Sequence, residues 1–235
     1  MIRFGSTDVG DGVPLGCARC AMPNTPSYHS VADVTRALAE LSGGWSGAPG
    51  PNVVLGGPEP FAHPHLPALV TAAVGAGFER IALETDGAAL SVTDNAEGVL
   101  RAGVRHIRLR VVTTDERRAA ELLPRPAVVS AARRGVTAYR AAAERAAVRA
   151  IVTAVVPVCT HTVDSIPSTV ADLASWGVDA VRLETAGALP SEAAGLIAAA
   201  CDTGMVNRLW VETDGGLPLP PSHALHAVPG GGAHE

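Results

Sequence analysis

The chain has 235 residues, 47% of them hydrophobic and only 3% aromatic, with a formal net charge of −5. That length suits one domain better than two, and its core has to be built from Ala, Val, Leu and Ile. The acidic balance and scattered Arg residues argue against a nucleic-acid-binding body. All 18 basic residues are Arg, which excludes Schiff-base, pyridoxal-phosphate and P-loop lysine chemistry.

In chain order, apolar runs and helical periodicity predict a strand over 2–5, a helix over 31–42, a strand over 52–56 and a helix over 65–77. A strand over 80–84, a helix over 92–102, a strand over 105–112 and a helix over 137–147 follow. The series closes with a strand over 149–158, helix 165–176, strand 179–184, helix 190–203 and strand 207–212. Pro157 should mark the end of its strand, since it cannot donate to a ladder. Repeated β-then-α units imply parallel strands with right-handed crossovers, but fall short of a closed eight-fold barrel. The expected fold class is therefore α/β, a partial, open (β/α)6-like TIM barrel over 1–215. Residues 216–235, with four Pro and four Gly, read as a flexible tail.

The N-terminal Met1-Ile2-Arg3-Phe4 lacks the apolar core of a signal peptide, and no stretch approaches the ~18 apolar residues of a membrane span. The expectation is a cytoplasmic protein with no membrane and no nucleic-acid partner. Its four Cys are expected to be thiols or metal ligands rather than a disulfide framework.

Gly16-Cys17-Ala18-Arg19-Cys20 follows the first strand. Such a C-x2-C suits zinc, a redox dithiol or an iron–sulfur cluster, and the nearby Pro23 and Pro26 favour a loop over a helix start. After the second strand comes Gly56-Gly57-Pro58-Glu59-Pro60. Glycines let backbone approach a ligand, and carbonyls with a carboxylate suit an ammonium. The third strand ends Leu83-Glu84-Thr85-Asp86-Gly87, echoed by Leu183-Glu184-Thr185-Ala186-Gly187 and Val211-Glu212-Thr213-Asp214-Gly215. Those echoes read either as strand-to-loop turn chemistry or as a shared ring of rim carboxylates.

In this order the motifs resemble those of radical S-adenosylmethionine (SAM) proteins over about residues 1–186. The resemblance implies that Gly56, Gly57, Glu59, Pro60, Thr85 and Asp86 form the cofactor-binding turns, the first of them holding the amino group of SAM. It also implies a [4Fe–4S] cluster on a C-x3-C-x2-C motif. Here the sequence departs from the family: the first ligand position is Val13, leaving Cys17 and Cys20, and Arg19 stands where an aromatic residue is common. Two thiolates hold such a cluster poorly. Substitute ligands on offer are Asp11 in the same loop, and Cys159 and His161 after the fifth strand; C-x2-C with C-x-H would also suit zinc.

Other candidates are weaker. His63 and His65 read as cap or surface residues. His106, Arg108 and Arg110 alternate on the fourth strand, so one face can bring a buried Arg or His to a carboxylate. Cys201 reads as structural, and His223, His226 and His234 are too dispersed for a metal site. The reading that fits best is a degenerate, non-catalytic radical-SAM-like protein. It would serve as partner or scaffold for an active radical SAM enzyme, or present a peptide substrate, in a natural-product or peptide-modification pathway. The alternatives are an active enzyme with unconventional cluster ligation, generating a 5′-deoxyadenosyl radical, and a zinc-binding or metal-free barrel with other chemistry.

Overall fold

A computed structural model describes residues 2–3, 28–43, 52–57, 59–123, 125, 127–186, 188–214 and 217. Its strands are β1 (Ile2–Arg3), β2 (Asn52–Gly56), β3 (Arg80–Thr85), β4 (His106–Arg110), β5 (Ile151–Val158), β6 (Ala180–Thr185) and β7 (Trp210–Thr213). They form one seven-stranded sheet in sequence order. Every neighbouring pair is parallel. Among the described residues β1 pairs only with β2 and β7 only with β6, so the sheet stays open. This is the partial α/β barrel expected from the β-then-α order. Pro157 lies one residue from the end of β5, as its missing N–H requires.

The helices are α1 (Val31–Gly43), α2 (Leu66–Gly75), α3 (Thr93–Ala102), α4 (Glu116–Leu122), α5 (Val128–Arg145), α6 (Ile166–Trp176) and α7 (Ala193–Val206). Ser30 caps the start of α1: Asp33 N–H donates to Ser30 Oγ at 3.2 Å, and the Ser30 hydroxyl donates to the Asp33 carboxylate at 2.6 Å. Asp115 caps α4, its carboxylate accepting from the N–H groups of Arg117 and Arg118. Helix α4 and the first nine residues of α5 lie outside the helical spans expected from periodicity.

One face of the sheet packs on the helices. Leu55, Leu83, Ile107, Leu109, Val156 and Leu183 are buried in one continuous apolar core with Leu38, Leu69, Val136 and Leu173. Each such side chain contributes about 1.5–3 kcal/mol by leaving water. Successive strand residues point to opposite faces. In β4, Ile107 and Leu109 are buried while His106, Arg108 and Arg110 are half-buried, so these three point to the helix-free face, the barrel lumen. Leu217, beyond β7, is buried in the same core. Residues 218–235 lie outside the described residues.

Candidate functional site

The lumen rim is built from the ends of β2, β3 and β4. Gly57 follows β2 with φ of 139°, a conformation that favours glycine. Glu59 then opens a 3-10 turn at Pro60–Ala62, its carboxylate accepting from Phe61 N–H at 3.3 Å. The same carboxylate ties this turn to the next one. Thr85 Oγ1 donates to Glu59 Oε1 at 2.7 Å, and Asp86 N–H donates to Glu59 Oε2 at 2.9 Å. Gly87 N–H in turn donates to Thr85 Oγ1 at 3.0 Å. At Gly87, φ of 78° is a conformation that favours glycine, and a Cβ there would press on the tip of Leu109, 2.4 Å from its Cδ1. Glu59, Thr85, Asp86 and Gly87 are thus one hydrogen-bonded cluster, preceded by Gly56 and Gly57 at the end of β2 and beside the buried Pro60.

Burial pushes the Glu59 carboxyl above the ordinary carboxylate range, and the Asp86 charge adds to this. The Asp86 N–H, the Thr85 hydroxyl and Arg110 pull the other way. A carboxyl raised on folding binds its proton more tightly in the folded chain. Its contribution to stability therefore falls as pH rises from the unfolded value, about 4.3, through the folded one. Glu59→Gln removes that contribution, so urea unfolding across this range should show the wild type losing stability relative to the variant as pH rises. A difference independent of pH would contradict the assignment.

The lumen face carries a line of alternating charge. Arg110 Nη2 is 3.7 Å from Glu59 Oε2 and its Nη1 3.7 Å from Glu84 Oε1. Arg108 reaches Glu84 with Nε at 3.4 Å and Glu184 with Nη2 at 3.1 Å. Arg182 continues to Glu184 at 2.9 Å and Glu212 at 3.5 Å. Four carboxylates and three guanidiniums therefore run from the β2 turn to β7. Arg110 Nη1 also donates to Gly57 O at 2.8 Å. Below them His106 Nε2 meets Thr153 Oγ1 at 3.0 Å. Burial, with the Arg108 charge, lowers the His106 pKa.

The recurring Glu-Thr segments therefore supply a shared set of lumen carboxylates, Glu84, Glu184 and Glu212, held by Arg of the same chain. The threonines differ in role. Thr85 holds the preceding turn through Glu59, whereas Thr185 donates to Asp214 of the following turn, from Oγ1 at 2.8 Å and from N at 2.7 Å. The sequence pattern exposed the alternation of Arg108 and Arg110 but not their partners, nor the Gly57 carbonyl.

His63 is buried rather than at the surface. Its Nδ1 accepts from His65 N–H at 3.0 Å and its Nε2 donates to His29 O at 3.1 Å. With Tyr28, which stacks edge-on against His63 and donates to Glu59 O at 3.2 Å, it pins the segment before α1 to the β2 turn. His65 is the N-cap residue of α2 without a side-chain cap bond.

Of the proposed metal ligands, Asp11, Cys17 and Cys20 lie outside the described residues, as does Val13. Cys159 is buried in its own turn, its N–H donating to Thr162 Oγ1 at 3.0 Å. The His161 carbonyl accepts from Arg118 at 2.8 Å. Among the described residues no group of three or more His, Cys, Asp or Glu could hold a metal ion, and a zinc site has no support there.

No protein-family model matches the sequence, and no curated protein matches it. Solved structures do. Streptococcus suis SuiB is similar with a TM-score of 0.63 at 14% identity, covering 90% of this chain and 47% of SuiB. Methylornithine synthase PylB is similar at TM-score 0.58 and 16% identity, covering 92% of this chain and 64% of that one. The maturase HydG of Carboxydothermus hydrogenoformans is similar at TM-score 0.57 and 10% identity, covering 92% and 53%. The chain carries the radical SAM fold. It spans about half the length of SuiB (47%), and at these identities the likeness concerns the fold alone. Structures of SuiB bound to S-adenosylmethionine and to its precursor peptide SuiA share it, each at TM-score 0.60 and 15% identity over 87% of this chain. No helix among the described residues is long and apolar enough to cross a membrane.

Proposed function

We propose that this chain is a non-catalytic radical-SAM-like protein, a scaffold or partner subunit for an active radical SAM enzyme in a natural-product or peptide-modification pathway. The observation that carries the reading is Val13 at the first position of an otherwise correctly spaced Cys17-x2-Cys20 motif. Val offers no donor atom, and two thiolates fall short of the three or four ligands a [4Fe–4S] cluster takes. The state of the lumen supports the reading, because its charged groups pair with one another. A protein or peptide partner is supported by SuiB, a protein of this fold bound to a precursor peptide.

Anaerobic reconstitution with iron and sulfide tests the reading. The wild type should bind well under the about four irons of a full cluster, and Val13→Cys should raise iron toward that number. A wild type that holds about four irons per chain would replace this reading with an active enzyme of unconventional ligation.

A further inference from the structure

A glycine carbonyl and two carboxylates converging on one point form a seat for a cation. At the β2 turn these are Gly57 O, Glu59 Oε2 and Glu84 Oε1, and a group of the chain itself lies among them. Arg110 donates from Nη1 to Gly57 O at 2.8 Å, and its guanidinium is 3.7 Å from each carboxylate. We propose that Arg110 is a built-in occupant of this seat, closing the turn to the amine of S-adenosylmethionine, an inference resting on the reading of this turn as the counterpart of the radical SAM ammonium-binding turn.

The placement follows from the strand. Arg110 is the last residue of β4, two after Arg108 and on the same lumen face. Its side chain is only 12% exposed, and Glu84 beside it only 11%. The remaining acceptor capacity of Glu59 is taken up by Thr85 Oγ1, Phe61 N–H and Asp86 N–H, and the far oxygen of Glu84 faces Arg108 Nε at 3.4 Å. A ligand ammonium entering here would meet a guanidinium of like charge in a largely dehydrated site and would have to displace it from the Gly57 carbonyl. Two carboxylates around one guanidinium also argue against Arg110 as the receptor of an anionic ligand. The residues at this turn therefore do not fit the amine they would be expected to hold.

Titration of S-adenosylmethionine into the wild type, Arg110→Gln and Arg110→Lys, followed by calorimetry, tests the proposal. Arg110→Gln removes the charge and should bind at least about tenfold more tightly than the wild type, a change of about 1.4 kcal/mol. Arg110→Lys keeps the charge and should stay close to the wild type. Unchanged or weaker binding by a folded Arg110→Gln protein would overturn the proposal. Should that variant fail to fold, the wild type decides alone, through S-adenosylmethionine against its desamino analogue. Indifference to the amine supports an occupied seat, and amine-dependent binding overturns it. Both titrations use protein free of iron, so this proposal and the non-catalytic reading can fail separately.

Discussion

Glu84→Ala should destabilise the protein by about 3–5 kcal/mol, the cost typical of removing one partner from a buried ion pair. Glu84 stands between two guanidiniums, Arg108 at 3.4 Å and Arg110 at 3.7 Å, with side-chain exposures of 11% for Glu84, 21% for Arg108 and 12% for Arg110. Its loss leaves two cations two residues apart on one face of β4, each keeping one carboxylate at the far end, Glu184 or Glu59. In a chain of this size each kcal/mol lowers Tm by about 2–4 °C, so a thermal melt should move by at least roughly 6 °C. Adding Arg108→Met should recover part of the loss, because the second change removes one of the two neighbouring like charges; a double-mutant cycle measures that coupling. A loss below about 1 kcal/mol would mean that the charge line behaves as exposed surface pairs do.

The second large effect is expected at Gly135, in the middle of α5. A Cβ built there would lie 2.1 Å from Gly87 O and 3.1 Å from Leu90 Cβ. Helix propensity alone favours Ala over Gly by about 1 kcal/mol, but overpacking against a fixed backbone carbonyl costs about 1–3 kcal/mol or more. Gly135→Ala should therefore lower Tm, and because the clash falls on the Asp86-Gly87 turn it should also loosen the Glu59 hydrogen bonds. Gly98 in α3 and Gly195 in α7 are the controls. A Cβ at either meets nothing within 4 Å, so Ala there should leave Tm unchanged or raise it. A Gly135→Ala protein as stable as the Gly98→Ala protein would contradict the packing described for α5.

Periodicity located only the C-terminal half of α5. The helix expected over 137–147 begins at Val128, and Gly135 within it is a point of close approach to the Gly87 carbonyl. The short α4 was missed between the strand and Pro124, where seven residues give periodicity too little length to register. The strands were legible because each carries its own apolar run, and parallel order follows from local β-then-α succession. The β2 and β3 turns were legible for a similar reason: Gly56, Gly57, Glu59, Thr85 and Asp86 lie in short motifs. The charge line was not. Arg108 meets Glu184 across 76 residues and Arg110 meets the Gly57 carbonyl across 53, contacts set by strand register and inward facing rather than by any local pattern. His63 was misplaced for want of its cover, since Tyr28 and His29 come from a segment 34 residues earlier.

Product analysis after anaerobic reconstitution tests the central claim most directly. The wild-type protein, supplied with iron, sulfide, a strong reductant and S-adenosylmethionine, should yield no 5′-deoxyadenosine above a protein-free control. Catalytic formation of 5′-deoxyadenosine by the wild type, lost in Cys17→Ala, would contradict the claim and make the chain a working radical SAM enzyme despite Val13.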